Sequence, residues 1–256
     1  MKLSPLQPIN PSIFILSLSL LSGAHYCNAH DVTPVASPAP LYNKAQDPLE
    51  PINRKIYKFN KVVDALYIKP ISMTYSKVVP KPIKASVGNF FSNLGEVPGA
   101  VNQALQGQLK HATSNFMRLL VNSTFGICGL FDVATPMGFI KYRGDFGQTL
   151  MKGGYKQSRY LVLPILGPST IRDGAGLVVN NFISVPYYLK PKWRNRYITT
   201  QVIHNRAETQ EIIDIVDTAG VDEYVLVRDA YLQRRQYMGN DGIVPVQKEL
   251  LNGPPE

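Results

Sequence analysis

At 256 residues the chain has room for one large domain or two modest ones, and 45% hydrophobic residues permit a sizeable core. Charged residues are only 18% of the chain, which fits either an ordinary large core or a protein that shows apolar surface to lipid. The formal net charge of +9 leaves nucleic acid, an anionic membrane surface or a merely solvated basic exterior, and an export signal at the amino terminus excludes nucleic acid.

That signal consists of Lys2, a short apolar stretch from Ile13 to Leu21, and the small residues Ser22, Gly23 and Ala24. It falls short of the ~20 residues needed to cross a bilayer, and no later segment reaches that length. Cleavage after Ala24 or Ala29 and lipidation at Cys27 all remain open. Residues 30–46, with Pro34, Pro38 and Pro40, read as a flexible tether.

The first helix is expected from Asp47, which can cap it, with Ile52, Ile56, Phe59, Val63 and Leu66 at steps of four and three along one stripe. Such a stripe either faces a core or, in a basic helix, lies in a membrane interface. Pro70, Pro80 and Pro82 predict breaks. A second stripe, including Val87, Phe90 and Phe91, is expected to end at Gly95, with a separate short helix over Pro98–Gly107. Lys110–Asn122 reads as a further helix. The almost wholly apolar Phe125–Val133 reads as a helical turn in which glycines allow close packing, with Cys128 a small core residue.

Residues 144–182 are the centre of the chain. Asp145–Leu150 predicts a short helix closed by Gly153 and Gly154, and Ser169 or Thr170 offers the cap of another helix running through Leu177 and Phe182. Between them lies Tyr160–Pro168, which two prolines keep out of helix and central strand alike. An irregular apolar segment of this kind belongs inside a protein or against a cavity, so an opening is expected beside Leu161–Arg172. Beyond it, aromatic and basic residues mix around Trp193. Two charged helices, about 197–217 and 222–237, then read as a solvent-facing portion, followed by a loose tail over 240–256.

The chain carries no nucleophile elbow and no phosphate-cradling glycine loop. His111 and His204 lie far apart with no cysteine pair beside them, so no metal, no cofactor and no disulfide is expected. Asp145 and Asp173, with Arg143 and Arg172 nearby, fit ion pairing or helix capping better than catalysis.

DPLEPINR (47–54), FFSNLGEVP (90–98), RLLVNSTFGICGLFDVA (118–134), GDFGQTL (144–150), YLVLPILGPSTIRDGAG (160–176) and YVLVRDAYLQRR (224–235) occur in one order across most of the chain. Together they resemble the MlaA (VacJ) family of Gram-negative outer-membrane lipoproteins. The signal departs from that family: Ala24-His25-Tyr26 precedes Cys27 where a leucine and two small residues are the pattern, which puts lipidation at Cys27 in doubt. The resemblance implies a doughnut-shaped helical protein in the inner leaflet of the outer membrane. Its amphipathic channel would remove phospholipid from the outer leaflet and pass it to a soluble periplasmic carrier, with a trimeric porin as a second partner.

The combined expectation is an all-α fold, a single ring-like domain over 47–239 of short amphipathic helices broken by Pro and Gly, with charged C-terminal helices. The expected channel residues are Arg143, Asp145, Phe146, Gln148, Tyr155, Tyr160, Leu163, Leu166, Arg172 and Asp173. Those expected at the membrane interface are Ile52, Ile56, Phe59, Val63, Phe90, Phe91 and Trp193. The function expected is non-enzymatic phospholipid transport that maintains outer-membrane lipid asymmetry. Its rival is a periplasmic lipid hydrolase or acyl-transfer enzyme using His111 or His204 as base, and a purely structural surface lipoprotein is a third reading.

Overall fold

The computed structural model describes residues 47–218 and 222–239. The signal peptide, the tether, Cys27 and the tail read from the sequence lie outside them. α1 (Glu50–Val63) runs through one π turn (Asp64–Ile68) into α2 (Lys69–Val78), so the break expected at Pro70 is absent. The amide of Lys69 reaches back five residues to Asp64, and this wider turn accommodates the N–H that Pro70 lacks. Asp47 is not the cap of α1, which begins at Glu50. It is buried instead, accepting from Asn53 Nδ2 at 2.8 Å and from the Tyr224 hydroxyl.

α3 (Lys81–Leu105) is one helix, not two stopping at Gly95 and restarting at Pro98. Side-chain bonds from Asn93, Glu96 and Asn102 flank the proline and outweigh the single backbone bond it removes. α4 (Leu109–Thr124) folds back on α3 after a turn at Gly107, where φ is +75°. The apolar run after α4 is not helical: Ile127, Cys128 and Gly129 have φ of 50°, 56° and 86°, a left-handed succession that ends any helix. Cys128 is exposed there, not in the core.

α5 (Phe146–Lys152) is capped by Asp145, whose carboxylate accepts from Gln148 N. The Tyr160–Pro168 run, expected to be irregular and to stay out of helix and central strand, forms a hairpin of β1 (Tyr160–Leu163) and β2 (Gly167–Thr170). Two prolines fit because the sheet has only edges. Pro164 sits in the turn, and Pro168 faces Val162, whose amide points away from β2 towards Asn53. Thr170 caps α6 (Ile171–Ile183), and a 3₁₀ turn (Val185–Tyr188) leads to α7 (Pro191–Glu208), α8 (Gln210–Thr218) and α9 (Glu223–Gly239).

These elements close a circuit. α1 packs on β1, the hairpin on α6, α6 on α3, α3 on α7, and α7 on α2, which returns through the π turn to α1. α4 packs on α3, and α5 packs on both α6 and α9. Among the described residues the fold is all-α apart from the one hairpin.

Candidate functional site

Among the described residues the buried side chains are mostly polar, and many large apolar side chains are exposed. Among the described residues the buried hydrophobics are few, chiefly Phe91, Val121, Tyr160, Val162, Ile198 and Tyr224. The buried polar set is longer and includes Asn53, Glu96, Asn102, Asn115, Arg118, Arg172, Asp173, Arg228 and Arg235. A water-soluble domain has the reverse distribution, because lysine, arginine and the carboxylates are rarely buried in one.

Each helix shows how the inversion is built. On α1, Asn53 and Asn60 lie seven residues apart on one face and clamp the hairpin. Asn53 Oδ1 accepts from Val162 N at 2.9 Å, Asn60 Oδ1 accepts from Ile165 N at 2.7 Å, and Asn60 Nδ2 donates to Leu163 O at 2.9 Å. Ile52, Phe59 and Val62 occupy the opposite face, continued by Leu66 in the π turn, Phe59 being 51% and Leu66 63% exposed. On α4, Asn115, Arg118 and Asn122 share the inward face. Asn115 exchanges two hydrogen bonds with the Tyr142 backbone, and Asn122 Oδ1 takes the amides of Val133 and Ala134. Phe116 and Leu120 point out. The outward set continues through Phe125, Ile127 and Phe131 to Phe182, Tyr188 and Trp193, where the Arg196 guanidinium lies 5.1 Å over the indole. No helix among the described residues is long and apolar enough to cross a membrane.

The residues expected to line a channel divide sharply. Asp145, Arg172 and Asp173 belong to a buried ion network with Arg235 of α9. Arg235 bridges both aspartates, Arg172 Nε donates to Asp173 at 3.0 Å, and the Tyr231 hydroxyl donates to Asp173 at 2.8 Å. Burial works to raise the Asp173 carboxyl, but Arg235 and Arg172 outweigh it and hold it below the ordinary carboxylate range. The same network explains two glycines: a Cβ on Gly147 would fall 2.3 Å from Asp173 Oδ1, and one on Gly176 2.5 Å from Gly147 N. Gln148 and Tyr160 are buried, Tyr160 against Tyr224 and Tyr231. Phe146, Leu163 and Leu166 are half-buried, and exposed Tyr155 offers its carbonyl to Arg172.

Arg143 of that set lines a cavity between α3 and α7. It is a space of about 190 Å³ between α3 (Gly88, Phe91, Ser92, Gly95, Glu96, Gly99), the segment 141–144 and α7 (Gln201, His204, Asn205). None of Leu161–Arg172 lines it, so this space lies elsewhere than the opening the sequence suggests; that stretch is the hairpin and the start of α6. Three glycines on one face of α3 make the room, and a Cβ on Gly95 would meet nothing within 4 Å. Glu96, 1% exposed, is tied to Arg118 at 3.0 Å and to Lys141 at 3.5 Å. Burial draws the Lys141 ammonium below its usual range against the pull of Glu96, and Arg118 and Arg143 push the same way as burial. His204 is likewise drawn down by burial, with its Nδ1 3.2 Å from the Tyr75 hydroxyl.

The interface set also needs correction. Ile52, Phe59 and Trp193 are exposed, while Ile56, Val63 and Phe90 are half-buried, Ile56 against the Tyr160–Val162–Tyr224 cluster. Phe91 is buried, its ring 5.0 Å from Tyr197 and beside His204, so it is a cavity wall and not a membrane contact. The sequence reading passes over Glu96, Lys141 and Asn205. The signal for this wall is the glycine spacing of seven and four on α3. His111 stacks on Tyr142 at 3.7 Å and contacts Gln108, so neither it nor His204 has a serine or aspartate among its recorded hydrogen-bond partners. Among the described residues no group of three or more His, Cys, Asp or Glu could hold a metal.

Comparison with known proteins follows the same outline. The family model of the MlaA lipoprotein matches residues 45–238. A protein of Rickettsia felis is 34% identical over 192 residues, 74% of this chain and 76% of its own. The intermembrane phospholipid transport system lipoprotein MlaA of Haemophilus influenzae is 31% identical over 214 residues, 82% of this chain and 85% of its own. A solved structure, determined as the structural basis for maintenance of bacterial outer membrane lipid asymmetry, superposes with a TM-score of 0.68 at 30% identity, covering 76% of this chain and 99% of that one.

Proposed function

Because the chain belongs to the MlaA lipoprotein family, we propose that it is the outer-membrane component of a phospholipid transport system, removing mislocalised phospholipid from the outer leaflet and maintaining lipid asymmetry. The observation that carries this reading is the inverted distribution of polarity. Helices that turn Ile52, Phe59, Leu66, Phe116 and Leu120 outward while burying Asn53, Arg118 and Asn122 suit a body bathed in acyl chains. With no spanning helix among the described residues, such a body sits in one leaflet, the periplasmic one. The closed circuit of helices and hairpin is then a frame around the lipid's path, and the Asp145–Arg235–Asp173 network holds that frame rather than lining it.

Transport of this kind proceeds without covalent chemistry. Acyl chains gain ~0.8 kcal/mol per buried CH₂, so the protein has only to offer an unbroken apolar route with a polar lane for the headgroup. The partners this reading requires are a trimeric porin in the membrane and a soluble carrier at the periplasmic face. The chain divides into an export signal (1–29), a tether (30–46), the helical body (47–239) and a C-terminal tail (240–256), with Cys27 the candidate for lipidation. The deciding measurement is the phospholipid accessible to an impermeant amine label on intact cells. Deleting the gene should raise it and restoring the gene should reverse the rise. An unchanged level would reject the function.

A further inference from the structure

We propose that the cavity between α3 and α7 is a binding subsite for the phosphate of a phospholipid headgroup, met by Lys141 and Arg143 and by the side-chain amide of Asn205. The inference rests on the transport reading and adds to it a place and a ligand chemistry. The first argument is an unused donor. Asn205 is 7% exposed and lines the cavity, yet its Nδ2 has no hydrogen-bond partner. Leaving a buried donor unpaired is costly, and an acceptor entering the cavity would remove that cost.

The second argument is charge. The cavity wall holds Lys141 and Arg143 against the single carboxylate of Glu96, which Arg118 at 3.0 Å and Lys141 at 3.5 Å share, Lys141 Nζ also donating to Ser92. Burial holds the Lys141 ammonium below its usual range against the pull of Glu96, and Arg118 and Arg143 push it the same way. Cations that repel one another across a space are relieved by an anion placed between them, and arginine with amide donors is suited to phosphate oxygens. The third argument is shape. Gly88, Gly95 and Gly99 clear about 190 Å³, well above the roughly 10–15 Å³ that admits a single water. Phe91 and Tyr142 supply flat apolar walls beside the polar ones.

The test uses the full-length protein in detergent, titrated with three probes: dihexanoyl phosphatidylglycerol, inorganic phosphate and phosphate-free dihexanoylglycerol. The wild type should bind the short-chain phospholipid at least tenfold more tightly than either of the others. Arg143→Gln and Asn205→Asp should each weaken that binding at least tenfold. Arg143 is exposed, and the melting temperature of its variant is read beside the titration; a variant that melts with the wild type alone decides the matter should Asn205→Asp melt early. Phospholipid affinity unchanged in Arg143→Gln would overturn the subsite, as would equal binding of dihexanoylglycerol. Inorganic phosphate binding as tightly as the lipid would make this a free-anion site and overturn the headgroup assignment. Vesicle-to-vesicle lipid exchange by the wild type separates the two levels. Exchange that persists while the variants bind normally removes the subsite alone; no exchange at all removes the transport reading with it.

Discussion

Glu96 Oε1 of α3 lies 3.0 Å from Arg118 Nε of α4, and both side chains are almost wholly buried in a protein that leaves Phe59, Leu66, Phe116 and Leu120 exposed. Arg118 also donates to the Thr135 hydroxyl, the Phe139 carbonyl and Asp132, so one guanidinium ties α3 to α4 and to the loop that completes the cavity wall. Removing one partner of such a pair strands the other without water. Glu96→Gln and Arg118→Met should each lower unfolding stability in detergent by ~3–5 kcal/mol. The double variant should lose less than the sum of the two, since neither Glu96 nor Arg118 is then left facing an absent partner, although Lys141 and Asp132 each lose one. Strict additivity in denaturant titrations would mean that the two side chains do not act as a unit.

Two glycines with opposite surroundings give a second expectation. A Cβ on Gly176 would press on the backbone of Gly147, so Gly176→Ala forces α5 and α6 apart and should cost at least ~1–3 kcal/mol. Gly95 sits in a helix and faces open space, so Gly95→Ala should be neutral or stabilising by up to ~1 kcal/mol. Gly95→Met carries the same backbone gain and extends into the cavity. It should melt no lower than wild type while slowing lipid exchange between vesicles. Exchange at the wild-type rate would mean that this cavity is off the lipid's path.

How much of this was legible in the sequence follows from the same residues. The apolar stripe of α1 is plain, but a stripe does not say whether it meets protein or lipid. The answer lies in the opposite face, where Asn53 and Asn60 recur at seven and bond to a hairpin more than 100 residues away. The starts of α5 and α6 are local signals, at Asp145 and at the Ser169–Thr170 pair, of which Thr170 is the cap. Pro70 and Pro98 mislead because tertiary pins and a π turn override a local breaker. The cavity was hidden for a related reason: its wall joins α3, a loop and α7, which no spacing within one segment connects.

Acid should weaken the protein through Asp173 and His204. Asp173 has a folded value depressed below the unfolded one, which is near 4. Its contribution is therefore complete above that value and is lost as pH falls through the lower, folded one. His204 is also depressed, by burial, so its share is complete above about 6.5 and declines as pH falls below that. The melting temperature should fall in two stages, one beginning below about 6.5 and one below about 4. Asp173→Asn should be less stable at neutral pH yet flatter in the lower stage. A lower stage unchanged in Asp173→Asn would assign it to other carboxylates.

The outward face of α1 supplies a prediction that separates membrane contact from folding. Phe59, Val62 and Leu66 are exposed and make no core, so replacing them leaves the fold intact. Val62→Glu and Leu66→Lys should melt within ~0.5 kcal/mol of wild type in detergent. Burying a leucine side chain in an apolar phase is worth ~1.5–3 kcal/mol, of which an interface recovers part. Each change should therefore lower partitioning onto phosphatidylglycerol–phosphatidylethanolamine vesicles roughly tenfold. Asn53→Leu is the control with the opposite sign. It makes α1 more apolar but removes the acceptor for Val162 N and the donor to Asp47, so it should destabilise the body by ~1–3 kcal/mol without improving partitioning. Loss of folding in the outward variants with no loss of binding would mean that the exposed stripe packs against protein and not lipid.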